Sequence, residues 1–220
     1  MLFRSVDFVP DLMEVANDLV LDRFFVVGLS GGGPYAHAVA HEHPDRVRAA
    51  GIIGGLGPCA GEEAVPSYTR LLNVVGPVLR PTRGLIGHAL TLSARPLIPF
   101  SSQAYEAFAL VVPSDRASLK QPGMKKMFID DLTRALDHGL FSPGYDLALF
   151  SKEWGFHLSD IKVPVRYWQG DADTIVPFSH GEWQASLVSD SELRRCEGQG
   201  HFGGYADVDE VIEVLVQVPA

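Results

Sequence analysis

The stretch from Phe24 to Pro34 constrains this chain more than any other. Phe24-Phe25-Val26-Val27 is a short apolar run rich in β-formers, and it enters Gly28-Leu29-Ser30-Gly31-Gly32-Gly33-Pro34 with no spacer. The segment that follows, PYAHAVAHEH, reads as a helix with Pro34 in its first turn, where a missing N–H costs nothing. It stops near Pro44. A strand that passes through a glycine turn into a helix is one half of a βαβ unit. The second strand is at hand: Val47 to Gly55, VRAAGIIGG, is apolar apart from Arg48. Such a run suits a strand buried on both faces of a parallel sheet.

The rest of the chain is placed around this unit. Before it, residues 8–20 put Leu12, Val15, Ala16, Leu19 and Val20 at helical spacing. Residues 58–158 carry no further strong strand. They are rich in Leu, Pro and Phe, with helical stretches such as Met124 to His138 broken by Pro and Gly, and they read as a helical insertion. The βα pattern resumes at Val163 to Gly170, with a helix near 178–187, a strand at 192–196 and a closing helix near 208–216. In that last helix Val211, Ile212, Val214 and Leu215 are the apolar positions. The expected organisation is an α/β core, residues 1–57 and 159–220, split by a helical cap, residues 58–158. No internal repeat is visible.

Composition excludes several functions. The chain has 220 residues, and 18 Lys+Arg against 27 Asp+Glu give a net charge of −9. That balance repels phosphate backbones, so nucleic acid is not an expected partner. No polybasic patch serves anionic lipid. No run is apolar enough over ~18 residues to span a bilayer, and Asp7 interrupts any signal-like start. The two cysteines, Cys59 and Cys196, are too few for a disulfide framework and read as reduced thiols. The resulting expectation is a cytoplasmic location.

Gly28-Leu29-Ser30-Gly31-Gly32 matches G-x-S-x-G, and its place between strand and helix gives the match its weight. A sharp turn there lifts Ser30 Oγ out of the sheet, with small neighbours expected at Gly28 and Gly32. The Gly31 N–H would sit at the helix N-terminus, where the dipole favours an oxyanion. The plainer alternative is a serine that only N-caps the helix. The glycines also fit G-x-G-x-x-A. However, they fall several residues past the strand, and no acidic residue ends the next strand to hold a ribose.

A nucleophilic serine needs a base, and the base needs an orienting carboxylate. Among the eight histidines, His37, His41 and His43 lie on the helix after Ser30, and the last two are two apart and do not share a helix face as metal ligands would. Surface positions explain them better. His88, His138, His157 and His180 have no motif around them. His201 lies in GQGHFGG, a loop between an apolar strand and the final helix. Asp171 and Asp173 follow the strand ending at Trp168. Loops at the carboxyl ends of parallel strands are where such sheets place their sites.

Ser30, an aspartate and His201 thus each follow a different strand, in the order Ser…Asp…His. With these segments the chain resembles the α/β-hydrolase family. DRFFVVGLSGGGPYAHAVAHEHPDRV is similar to its elbow strand and helix, IKVPVRYWQGDADTIVP to its acid-loop strand, and GQGHF to its histidine loop. The likeness covers roughly residues 8–57 and 159–216. It implies a mostly parallel sheet with an inserted helical cap. It selects Asp173, four residues before Pro177, over Asp171. It further implies a Ser30–His201–Asp173 triad with Gly31 in the oxyanion hole and no cofactor or metal. The substrate would be a small ester, thioester or amide with an acyl group, and acyl transfer is a related outcome. Phe100 and Phe108 in the cap suggest an apolar group on that substrate.

The family usually places four strands before the elbow strand, and here only about one helix precedes it. The expectation is an N-terminally incomplete sheet whose edge strand, Arg23 to Val27, a second copy of the chain could cover. The early loop that normally gives a second oxyanion donor is not found, so weak activity, or a hydrolase-like domain without catalysis, is the alternative.

Overall fold

The computed structural model describes residues 4–206 and 208–219; residues 1–3, 207 and 220 lie outside the described residues. A 3-10 turn at Ser5–Phe8 leads into α1 (Val9–Asp18), followed by β1 (Phe24–Leu29), α2 (Gly33–Glu42) and β2 (Val47–Ile53). Five helices separate β2 from the next strand: α3 (Pro66–Ala94), α4 (Ser101–Val111), α5 (Arg116–Leu119), α6 (Met124–His138) and α7 (Ser142–Phe150). Then come β3 (Val165–Gly170), α8 (Phe178–Leu187), β4 (Ser191–Cys196), α9 (Gly203–Ala206) and α10 (Val208–Gln217).

The four strands form one parallel sheet in the order β1-β2-β3-β4. Leu29 pairs with Ile53, Ile53 with Trp168, and Gly170 with Cys196, so the carboxyl ends of the strands lie along one edge. Both faces of the sheet are covered, as a parallel sheet requires. Residues alternate between the faces because successive side chains of a strand point oppositely. Ala50, Ile52, Val165 and Tyr167 join the core beneath α1, α2 and α8. Ala49, Ile53 and Trp168 pack with Val211, Leu215 and Val218 of the C-terminal helix region. Among the described residues β1 is an edge strand, and its Val27 is 46% exposed.

Some expectations from the sequence need correction. In α1 the buried stripe is Val9, Met13 and Ala16, whereas Val15, Leu19 and Val20 are exposed. The helix ends at Asp18, so the last two of those fall outside it. In α10 the buried positions are Val211 and Leu215, and Ile212 points to solvent. The long α3 continues through Pro77 and Pro81, where breaks are expected. Both prolines are exposed, and each leaves one carbonyl of the helix ladder without its usual N–H donor. No helix among the described residues is long and apolar enough to cross a membrane.

Candidate active site

Ser30 directly follows β1 with φ of +54°, in the left-handed region that L side chains seldom enter. The residue is half-buried, and its carbonyl accepts the N–H of Gly33 and of Leu56, the latter at 3.2 Å. The N-cap positions here fall on Leu29 and Gly32, so Ser30 is not the capping residue. The turn is tight because Gly28 lies under Gly32: a Cβ at Gly28 would stand 2.5 Å from Gly32 O and 2.9 Å from Gly33 Cα. At Gly32 a Cβ would meet nothing within 4 Å. The expected crowding therefore holds at Gly28 and fails at Gly32, since only the former faces inward across the turn.

The neighbouring strand brings the next component. Leu29 pairs with Ile53 in the ladder, so Ser30 and Gly54 are the first residues past it on adjacent strands, about 5 Å apart at ordinary strand spacing. Gly54 has φ of +54°, and a Cβ there would lie 3.2 Å from His201 Nδ1. The His201 imidazole therefore rests against the end of β2, the strand that pairs with β1.

His201 and Asp173 are buried together, with His201 Nδ1 2.7 Å from Asp173 Oδ2. A carboxylate only accepts, so the proton of this bond sits on Nδ1, and Nε2 is the ring nitrogen not engaged by Asp173. Asp173 is held from every side. Its Oδ1 accepts the N–H groups of Ile175 and Val176, both at 2.8 Å, and its Oδ2 also accepts from Gln169 Nε2 at 3.1 Å. Asp171 has a different part: its Oδ1 accepts the Gly198 N–H at 2.7 Å, bracing the histidine loop. Phe202 stands edge-on to the His201 ring, with centroids 5.3 Å apart.

Several residues near the site carry no sequence signal. Gln169 is buried inside β3, and its amide also donates to Val176 O at 2.7 Å. His180 is buried, and its Nδ1 accepts the Gly57 N–H at 3.0 Å. Burial pulls its pKa down to about 4, against an opposing pull from the Asp173 charge. His37, expected at the surface, is instead buried, 2.9 Å from Tyr167 OH, and desolvation lowers its pKa to about 3. Asp115, from the turn between α4 and α5, accepts the N–H groups of both His201 and Phe202.

An apolar cavity of about 470 Å³ opens beside this cluster, lined by Leu29, Met127, Phe128, Asp131, Leu132, Ala135 and Phe202. Leu29 adjoins Ser30 and Phe202 adjoins His201, so the cavity meets the cluster at both. Phe108 stands edge-on to Phe202 with ring centroids 6.4 Å apart, whereas Phe100 is 57% exposed and lines none of the cavity. A second cleft of about 300 Å³, lined among others by Arg4, Glu62, Glu153 and His157, shares no residue with the cluster.

No protein-family model matches the chain, and no curated protein matches it in sequence. Solved structures do match it in three dimensions. An α/β-hydrolase fold protein from Nakamurella multipartita superposes with a TM-score of 0.63 at 19% identity, over 96% of this chain and 75% of that one. An esterase from Exiguobacterium antarcticum, EaEST, gives 0.63 at 18% identity over 97% and 72%. Est816, described as an N-acyl homoserine lactone degrading enzyme, gives 0.59 at 20% identity over 98% and 74%. At such identities the likeness shows the fold, and this fold places its strands, as here, in a parallel sheet between helices.

Proposed function

On the α/β-hydrolase fold that the chain shares with those structures, we propose that it is a serine hydrolase acting on a small ester, thioester or amide with an apolar acyl group. One observation carries the reading: a buried His201–Asp173 pair at 2.7 Å sits one strand from a serine whose backbone is held at φ +54°. Strain of this kind persists where surrounding structure enforces it, and it gathers at functional sites.

In this mechanism Ser30 Oγ attacks the acyl carbonyl carbon while His201 Nε2 takes its proton. Asp173 keeps the proton on Nδ1 and stabilises the imidazolium that forms. The tetrahedral intermediate places its oxyanion at the Gly31 N–H, in the first turn after the elbow. Collapse of the intermediate expels the leaving group, which takes the proton from His201 Nε2. Water, deprotonated by the same nitrogen, then attacks the acyl-enzyme and frees the acid and Ser30. No step in this sequence calls on a metal or an organic cofactor. The apolar cavity beside Leu29 and Phe202 suits the acyl chain, and residues 58–158, which supply most of its wall, act as the cap. The lactone named for Est816 belongs to the same substrate class.

A fluorophosphonate probe tests the reading. The native chain should be labelled stoichiometrically on Ser30 and should hydrolyse p-nitrophenyl esters, with a preference for longer acyl chains over acetate. Ser30→Ala should abolish labelling and lower kcat/KM by at least about 10³-fold. A folded native chain that takes no label would overturn the proposal.

A further inference from the structure

We infer that Ser114 and Asp115, in the turn between α4 and α5, are positioning residues that hold His201 and Asp173 in register. The inference rests on the hydrolase reading for its catalytic consequence, though not for its geometry. Asp115 is 1% exposed, yet it meets no cation among the described ion pairs. Both of its oxygens are spent on one loop. Oδ2 accepts the His201 N–H at 2.9 Å and Oδ1 accepts the Phe202 N–H at 2.7 Å. Two charge-assisted bonds to consecutive N–H groups fix both the position and the rotation of that peptide segment. A buried carboxylate is tolerated only when its acceptors are satisfied, so the loop has little freedom to leave.

The preceding residue grips the other loop. Ser114 Oγ donates to Ala172 O at 3.0 Å, one residue before Asp173. Consecutive side chains of one turn thus hold the backbone on both sides of the His201–Asp173 hydrogen bond. The sequence has made room for this. A Cβ at Gly200 would run into the Asp115 carboxylate, so the close approach depends on glycine there. The turn itself is anchored, since Val112 and Leu119 on either side of it are buried in a cluster that also packs Phe202. The segment between β2 and β3 therefore does more than wall a cavity: it sets the orientation of the imidazole.

The test uses Asp115→Asn, Asp115→Ala and Ser114→Ala, each checked for a native circular-dichroism spectrum. Two readouts are taken. One is kcat and KM on a p-nitrophenyl ester, with the fluorophosphonate labelling rate. The other is the low-field proton resonance of the His201 Nδ1–H···Asp173 bond, which needs no activity. Asp115→Ala should lose about 10²-fold in kcat and labelling rate, the size of effect a misplaced catalytic group gives, with KM within about 3-fold. It should also lose or shift the resonance. Asp115→Asn keeps one acceptor oxygen but turns an amide toward the second N–H, so it should fall between Asp115→Ala and native. Ser114→Ala should cost a few-fold with the same split. An unmoved resonance in folded Asp115→Asn, or a loss confined to KM, would overturn the inference. If Asp115→Ala does not fold, Asp115→Asn and Ser114→Ala decide it. A native chain that takes no label but shows the resonance, lost in Asp115→Asn, would sink the hydrolase reading and leave the positioning role standing.

Discussion

At the scale of single residues, the elbow stores strain that the fold does not need for itself. A non-glycine residue in the left-handed region costs about 1–2 kcal/mol. Ser30→Gly should therefore raise the stability of the chain by about 1 kcal/mol, or roughly 2–4 °C in Tm for a chain of this size, while Ser30→Ala should leave Tm nearly unchanged. Differential scanning calorimetry of the two variants checks this, and equal Tm values would argue against strain at φ +54°. The glycines beside it give a paired expectation. Gly28→Ala must push its Cβ into the backbone of Gly32 and should destabilise by 2 kcal/mol or more, about the cost of overpacking a filled site. Gly32→Ala enters open space and should stay within about 0.5 kcal/mol of native. The G-x-S-x-G pattern marks both glycines alike; only the folded turn separates the one that is crowded from the one that is not.

At the scale of elements, burial rather than apolar character decides which side chains hold a helix to the sheet. Leu215 of α10 is buried, with its Cδ1 3.0 Å from where a Gly51 Cβ would stand, and Ile212 on the same helix is 52% exposed. Leu215→Ala should cost about 2–5 kcal/mol and Ile212→Ala less than about 0.5, read as urea midpoints. Comparable losses would mean that α10 docks by a different face. The elements themselves were largely legible in the sequence. The bounds of α6 and α8 match the expected ones, and those of α10 and the four strands fall within about two residues of them, because periodicity and turn chemistry are local signals. What stayed hidden depends on partners distant in sequence. Met13 rather than Val15 of α1 is buried because it packs into the core shared with α2 and the sheet. That α3 runs on through Pro77 and Pro81 is not foretold by a proline's local preference. The candidate site divides the same way. Ser30, Asp173 and His201 each announce themselves through a loop motif after a strand. Asp115 lies 86 residues before His201 in an ordinary Pro-Ser-Asp turn, and its role exists only once the chain has folded back on itself.

At the scale of the whole molecule, two buried histidines tie stability to pH. His37 and His180 are both enclosed beneath the sheet, and desolvation lowers their pKa to about 3 and about 4 from 6.5. Above pH 6.5 the folded and unfolded chains both hold them neutral, and they contribute no pH dependence. Below it, the unfolded chain takes up protons that the folded chain refuses. Stability must then fall with pH until the folded values are reached, by up to about 1.4 kcal/mol per pH unit for each histidine. Urea unfolding at pH 7.5, 6.5 and 5.0 should show little change over the first interval and a drop of about 2–4 kcal/mol over the second. A flat response between pH 6.5 and 5.0 would mean that these side chains are hydrated.

The central seam of the sheet has a consequence for synthesis. Ala50 of β2 pairs with Val165 of β3, 115 positions further along the chain. A ribosome adding about 5–20 residues per second needs roughly 6–23 s to make the second partner after the first. Throughout that interval β2, buried along nearly its whole length in the finished fold, has only β1 beside it and an unpaired edge open to other chains. The nascent chain is therefore at its most vulnerable while α3 to α7 are being made, and slower translation of that stretch should lower the soluble yield rather than raise it.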